Sequence, residues 1–364
     1  MSKILKAIGL MSGTSLDGID VAYLETDGEA QVRRGASQTI HYTPEQQSEL
    51  RRALALAKPL SRRENLPGPL QQIETDLTDW HIAAVQAFLQ KNSLTASNID
   101  VVGFHGQTVL HRPEIRLTIQ LGNGATLATA TGIATVYDMR AADIAAGGQG
   151  APLVPVYHRA LAKSKSMAFV NIGGVANVTF VGSKGELLAF DTGPGNALLN
   201  DWMLRHKGLA FDEGGATALR GKVSGPDLAA ALANSYFAQK PPKSLDRNKF
   251  ASLNFSGLSL EDGAATLAAL TAKAIARAAR WFPQEPTQWV ICGGGRHNVA
   301  IMKGLALELP HVVSAEALGL NGDAMEAEAW AYLAVRSVKG LALTYPGTTG
   351  VKAPMTGGVL VKPA

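Results

Sequence analysis

The chain has 364 residues, 46% apolar and only 18% charged, where ordinary globular domains carry about 25% charged residues. At roughly 150 residues per domain there is room for two domains with real cores, and intrinsic disorder, which needs low hydrophobicity and high charge, is excluded. A single cysteine, Cys292, excludes a disulfide framework and a cysteine-based zinc site, while the net charge of +4 comes from scattered basic residues with no interleaved aromatic platform, so nucleic acid is not an expected partner.

In chain order, Ile4–Leu10 and Ile19–Glu25 read as two strands joined by a Ser/Gly/Thr turn, which makes a hairpin. Thr43-Pro44-Glu45-Gln46 has the form of a helix start, with Thr as N-cap, Pro at the first helical position and Gln at N3. Leu70, Ile73, Leu77, Trp80, Ala84 and Phe88 recur at three-to-four spacing and predict a helix from about Leu70 to Lys91. Val101–Phe104 reads as a short buried strand, and the alternation of Leu117, Ile119 and Leu121 as another. A second cycle begins near residue 135: strand Ala134–Tyr137, helix Pro152–Leu161, strands Ala168–Ile172, Val178–Val181 and Leu187–Phe190, then a helix from about Asn196. The polar, proline-interrupted stretch Asp212–Asn248 reads as loop or insertion. Helix Ala264–Trp281, strand Trp289–Cys292 and helices Asn298–Leu307 and Asp323–Val335 follow. Strands alternating with helices predict an α/β architecture in two lobes. Each half holds a strand–Gly turn–strand hairpin and a later strand ending in a polar Gly/Thr loop, a hint of duplication. The apolar start is too short for a signal peptide, and no stretch approaches ~18 apolar residues. The expectation is a soluble, cytoplasmic protein with no membrane partner.

Glycine is over-used, with 38 residues, many in pairs and triplets, so the chain either turns tightly or lets a ligand approach bare backbone. The P-loop, Rossmann, protein-kinase, Gly-x-Ser-x-Gly and His-Glu-x-x-His signatures are all absent. What remains are glycine–hydroxyl loops. Ser12, Gly13, Thr14, Ser15, Asp17 and Gly18 form a turn whose N–H groups and hydroxyls suit a phosphate. Asp17 would repel a bare phosphate but suits one bridged by magnesium through water; an ordinary hairpin turn is the alternative. Asn171, Gly173 and Gly174 lie in a second such hairpin. Gly293, Gly294 and Gly295 follow a buried strand and precede a helix, where an adenine ring or its phosphates could lie on backbone.

Two glycine hairpins and a late strand–Gly-Gly-Gly–helix segment resemble the actin, hexokinase and Hsp70 superfamily. More narrowly, Met11-Ser12-Gly13-Thr14-Ser15-Leu16-Asp17-Gly18-Ile19-Asp20, Phe104-His105-Gly106-Gln107-Thr108, Phe190-Asp191-Thr192-Gly193-Pro194-Gly195-Asn196 and Cys292-Gly293-Gly294-Gly295 resemble the anhydro-N-acetylmuramic acid kinases, over residues 9 to about 330. The resemblance implies a two-lobed actin-like ATPase with duplicated ribonuclease H-like domains and a central cleft. Its expected lobes are 1–133 plus about 340–364, and 134–339. It also implies ATP and Mg2+ as cofactors, an amino sugar as substrate, and suggests a homodimer. The implied reaction turns 1,6-anhydro-N-acetylmuramic acid, ATP and water into N-acetylmuramic acid 6-phosphate and ADP, in recycling of cell-wall sugars. Water attacking C1 needs a general base, the task of a carboxylate in inverting glycosidases. Asp191, at a strand end on a Gly-Pro-Gly loop, is the candidate, with a helix N-cap as its bland alternative. Arg140 and Asp138 either read the sugar, Arg140 through its lactyl carboxylate, or form a surface ion pair. His105, Thr108 and Gln149 join the expected sugar site, although a lone histidine here also fits a structural role. Glu326 fits both a capping box begun by Asp323 and a place near the nucleotide. The alternatives are another sugar or acetate kinase of the superfamily and a non-catalytic nucleotide-dependent switch.

Overall fold

The computed structural model describes residues 3–13, 15–64, 66–245, 247–250, 253, 255 and 257–364. Its strands are β1 (Leu5–Met11), β2 (Gly18–Thr26), β3 (Val32–His41), β4 (Val101–Phe104), β5 (Gln107–Arg112), β6 (Leu117–Leu121) and β7 (Thr135–Tyr137). They continue with β8 (Met167–Ile172), β9 (Val175–Val181), β10 (Leu187–Pro194), β11 (Gln288–Cys292), β12 (Val312–Ser314) and β13 (Val359–Val361). The chain forms two compact units, Met1–Lys163 with Ala324–Ala364, and Ser164–Asp323. The division therefore falls at 163/164 and 323/324, not at the expected 133/134 and 339/340. The reason is pairing: β7 runs parallel to β4 and antiparallel to β13 in the first unit's sheet. The helix Met325–Val338 packs on that same sheet.

The first unit's sheet has the order β13-β7-β4-β1-β2-β3. β1, β2 and β3 form an antiparallel meander, and β4 and β7 add in parallel on the other side of β1. Four consecutive buried residues in β4 fit a parallel strand covered on both faces. The helix Pro44–Ala57 starts as the sequence predicts: Thr43 Oγ1 accepts from the Gln46 N–H, and Gln46 Oε1 accepts from the Thr43 N–H. The helix Gly68–Lys91 buries Leu70, Ile73, Leu77, Ala84 and Phe88. Trp80 is only half-buried and stands edge-on to Tyr42.

Gly9 of β1 and Gly103 of β4 are register partners. Neither could carry a side chain. A Cβ on Gly9 would lie 1.8 Å from the Ala327 carbonyl oxygen, and one on Gly103 would lie 2.2 Å from that of Trp330. The backbone of the helix Met325–Val338 thus rests directly on a glycine face of the sheet.

The second unit repeats the plan. Its sheet has the order β10-β9-β8-β11-β12, with β8, β9 and β10 an antiparallel meander and β11 and β12 parallel to β8. Numbered within each sheet, both include the order 3-2-1-4-5, which bears out the hint of duplication. The core gathers Val170, Ile172, Val178, Phe190, Trp289 and Ile291 from the strands with Leu267, Leu270 and Ile275 from the helix Leu260–Ala276. The stretch Asp212–Asn248, expected as loop or insertion, contributes a helix, Gly225–Leu232, and buried Leu228, Leu232, Tyr236, Phe237 and Leu245. Among the described residues no helix is long and apolar enough to cross a membrane.

Because overpacking against fixed backbone commonly costs about 1–3 kcal/mol and sometimes more, Gly9→Ala should lower the unfolding free energy by about 3 kcal/mol. Urea denaturation followed by circular dichroism checks this; an unchanged midpoint would contradict the close approach of helix and sheet.

Candidate active site

In the first unit the turn between β1 and β2 is tied to the loop after β4. Ser12, fully buried, donates its hydroxyl to the Gly106 carbonyl at 2.8 Å. Gln107 Nε2 donates to Gly13 O at 3.2 Å, and the His105 N–H donates to Leu10 O at 3.1 Å. Ser15 Oγ donates to Asp17 Oδ1 at 2.7 Å, both residues being exposed. Gly18 is buried against Ile40 and His41 in the meander. Thr14 lies outside the described residues. Thr108 is in β5, paired with Gln120.

His105 is buried and neutral. Its Nδ1–H donates to Gly106 O at 2.5 Å, and Nε2 accepts from Arg140 Nη2 at 3.1 Å. Burial first, then the Arg140 charge, push its proton affinity well below the usual histidine range. Arg140 also donates to Gly150 O at 2.9 Å and lies 5.2 Å from the Trp330 ring centroid. Burial brings Arg140 down to about 10, against the opposing charges of Glu326 and Asp143. Glu326 is pushed up by burial, with Arg140 opposing and Asp20 and Asp17 adding repulsion. The helix holding it has Ala324 as N-cap and no side-chain cap, so the capping-box alternative fails. Asp323 instead pairs with Arg296 at 2.7 Å.

The ion-pair alternative for Asp138 and Arg140 is also corrected. Asp138 pairs with Arg63 at 2.6 Å, while Arg140 reaches back to His105. Asp138 has φ +53, a left-handed backbone that is uncommon outside glycine and worth attention at a site. A cavity of about 380 Å³ is lined by Arg63, Glu74, His105, Gln120, Tyr137 and Asp138 among others. Among the described residues, Asp138 Oδ1 and Gln120 Oε1 are buried without a hydrogen-bond partner. Buried polar atoms are normally satisfied, so these acceptors fit a hydroxyl- or amide-bearing ligand. Gln149 is half-buried, and its N–H donates to Thr349 O at 2.8 Å. Asp143, which the sequence reading missed, fixes this loop: its carboxylate accepts from the Gly150 N–H and from Thr349 Oγ1, each at 2.6 Å.

In the second unit three motifs meet. The Gly195, Asn196 and Ala197 N–H groups donate to the carbonyls of Gly173 and Gly174. Asn196 Nδ2 donates to Ile172 O at 3.1 Å. A Cβ on Gly293 would lie 2.1 Å from Asn171 Oδ1, and one on Gly295 would lie 2.2 Å from Ile172 Cγ2. Gly13, Gly173, Gly174 and Gly294 differ, because an added Cβ would meet nothing closer than 3.5 Å, and none has positive φ. Neither packing nor conformation requires glycine at these four positions, so the bare backbone there leaves room beside it. Arg296, nearly buried, anchors the triplet by donating to Gly293 O at 2.9 Å while pairing with Asp323 and Glu316.

Asp191 lies in β10, which runs on to Pro194 through a register shift between Asp191 and Gly193. Its Oδ2 accepts from the Leu245 N–H at 2.7 Å. Burial raises its proton affinity to about 6, with the Leu245 N–H and the Lys243 charge pulling the other way. It is no N-cap: Asn196 holds that position on the helix Ala197–Lys207. A carboxyl with these neighbours is ionised at neutral pH and able to take a proton. Among the described residues no cluster of three or more His, Cys, Asp or Glu could by itself hold a metal ion.

Two sheets of one repeated strand order, each with a glycine turn between its first two strands, make this a duplicated α/β fold. The chain belongs to the anhydro-N-acetylmuramic acid kinase family, whose model matches residues 5–363. Relatives of that name share 52% identity in Rhizobium etli, over the full length of both chains, and 53% in Rhodopseudomonas palustris, over 99% of this chain and 100% of the relative. Among solved structures, the activator of the 2-hydroxyisocaproyl-CoA dehydratase from Clostridium difficile with bound ADPNP has 15% identity and a TM-score of 0.47, covering 92% of this chain and 96% of that one.

Removing Arg63 leaves the Asp138 carboxylate unpaired. Burial already raises the Asp138 proton affinity and Arg63 lowers it, so Arg63→Met raises it further. A carboxyl raised in the folded state costs stability as pH rises. Arg63→Met should therefore lose about 1–3 kcal/mol at pH 7 and less at pH 5, as urea titrations at the two pH values would read; an equal deficit at both would exclude the pairing.

Proposed function

We propose that this protein opens the 1,6-anhydro ring of 1,6-anhydro-N-acetylmuramic acid with water and phosphorylates O6, giving N-acetylmuramic acid 6-phosphate and ADP. It would serve the recycling of peptidoglycan sugars in the cytoplasm. The observation that carries this reading is the family match over almost the whole chain. The second half of the reading assigns the residues. Asp191 takes a proton from water as the water oxygen bonds to C1. The C1–O6 bond breaks, and O6 forms its bond to the γ-phosphorus as ADP departs. No separate acid is needed, because O6 is captured by phosphorus, and positioning with charge neutralisation supplies most of the acceleration.

The sugar is assigned to the cavity beside Asp138 and His105, where two acceptors with no partner among the described residues support recognition of its hydroxyl and amide groups. Thr108 and Gln149 complete the assignment. Arg140, bonded to His105 and Gly150, retains charge for the lactyl carboxylate. ATP is assigned to the open glycines Gly13, Gly173, Gly174 and Gly294, with Ser12, Thr14, Ser15, Gly18, Asn171, Gly293, Gly295 and Glu326 around them. Asp17 with the Ser15 hydroxyl fits Mg2+, which keeps several waters and takes one or two carboxylates besides phosphate oxygens. When bound, the ion would neutralise charge on the transferring phosphoryl group. The functional unit is proposed to be a homodimer.

Turnover in 18O-labelled water should place label at C1 of the product sugar; product without label there excludes the hydrolytic opening. Asp191→Asn should bind ATP as the wild type does but turn over about 10³-fold more slowly. The wild-type kcat/KM should fall on the acid side near pH 6, because the base must be ionised. Stopped assays across pH 5–9 check both points.

A further inference from the structure

In the first unit the loop 147–150 is built around one buried carboxylate. Asp143, in the short helix Ala141–Ala145 after β7, is 2% exposed. One of its oxygens accepts from the Gly150 N–H and the other from Thr349 Oγ1, each at 2.6 Å, and its carbonyl accepts from the Gly148 N–H at 2.9 Å. A Cβ on Gly148 would lie 2.2 Å from Asp143 Oδ1, so the chain wraps the carboxylate with no room for a side chain. Both carboxylate bonds lead on to a residue of the expected sugar site. The Gly150 carbonyl accepts from Arg140 Nη1 at 2.9 Å, and the Thr349 carbonyl accepts from the Gln149 N–H at 2.8 Å. Arg140 also donates to His105 Nε2, a neutral acceptor like the carbonyl, and among the described residues its Nε has no partner.

We propose that Asp143 and Thr349 are positioning residues: together they fix the loop 147–150 so that the Gly150 carbonyl aims the Arg140 guanidinium at the carboxylate of the sugar. The proposal rests on the reading of Arg140 as the group that meets the lactyl carboxylate. Its physical ground is the entropy of a long side chain. A free arginine loses rotamer freedom when a ligand fixes it, and affinity falls accordingly; an arginine held beforehand avoids that loss. A direct ion pair would hold Arg140 as firmly, but it would occupy the charge that an incoming carboxylate needs. Two neutral acceptors hold the guanidinium and leave its charge available. The anchoring carboxylate is placed one peptide further out, with its oxygens turned to Gly150 and Thr349 instead of to Arg140. A carboxylate that only stabilised the unit would alter the amount of folded enzyme and leave the affinity for sugar alone, and that distinction is open to measurement.

Thr349→Val keeps the shape of the side chain and removes the hydroxyl. The KM for 1,6-anhydro-N-acetylmuramic acid should rise roughly tenfold, as expected for loss of one charge-assisted hydrogen bond, while the KM for ATP changes by less than about twofold. Thr349→Ser, which keeps the hydroxyl, should retain the wild-type values. Asp143→Asn keeps an acceptor for the Gly150 N–H but loses the charge, and should raise the sugar KM with the same selectivity. Arg140→Met should raise it at least as far. Thr349→Val added to Arg140→Met should raise it no further, because a residue that acts through Arg140 then has nothing to aim. An unchanged sugar KM in Thr349→Val, equal rises for sugar and ATP, or a full further rise on top of Arg140→Met would overturn the positioning role. An unchanged sugar KM in Arg140→Met would instead overturn Arg140 as the reader of the carboxylate, whatever Thr349→Val does.

Discussion

The contact on which the first unit depends is the seating of the helix Met325–Val338 on a sheet face bared by Gly9 and Gly103. Two glycines in register across parallel strands let the helix backbone come within reach of the strand backbone, where any side chain would hold it off. The helix meets them with its own small residues, Ala327, Ala331 and Ala334, all fully buried. Close seating fixes position. It sets Trp330 against His105 and Arg140, and it brings the Glu326 carboxylate within the influence of Arg140, Asp17 and Asp20. The chemistry-bearing loops lie at the ends of strands whose spacing is dictated by a contact that contains no polar side chain.

The two units use one sheet plan for different ends. In the first, buried charged and polar groups are held as a network in which histidine is neutral and arginine keeps its charge. In the second, the glycine turns are bound to each other by main-chain hydrogen bonds, and one ionisable group, Asp191, is set apart by burial. A neutral imidazole that donates to a carbonyl and accepts from a guanidinium is a rigid spacer rather than a proton carrier.

Much of this was legible before any coordinates. Thr43 and Gln46 announced their helix because a capping box is a local device, and Val101–Phe104 announced a buried strand by its unbroken apolar run. The glycine hairpins and Asp191 stood out because their residue types make sense only in turns and sites. β3 escaped because Val32–His41 has neither alternation nor a hydrophobic run; it is an edge strand defined by its partner β2. The segment around Tyr236 escaped because its apolar residues are spread between prolines, glycines and polar residues, with no period to detect. The unit boundary was misplaced because β7 is three residues long, and its membership depends on β4 and β13, far away in sequence. Asp143 carries no motif at all; its place in the loop comes from Gly150 and Thr349, and only the fold brings Thr349 near.

The second unit is one continuous run of chain, Ser164–Asp323, whereas the first joins Met1–Lys163 to Ala324–Ala364. During synthesis the second unit is complete in sequence as soon as Asp323 has been made. The first must wait with its glycine face uncovered until Ala327 and Trp330 emerge, and without β13 beside β7 until Val359–Val361 follow. Since domains tend to fold as units while the chain grows, β1 and β4 are covered only after the second unit has been made. A chain cut before Met325 therefore keeps the first unit's turn motifs but lacks Glu326 and Trp330, which stand beside Arg140.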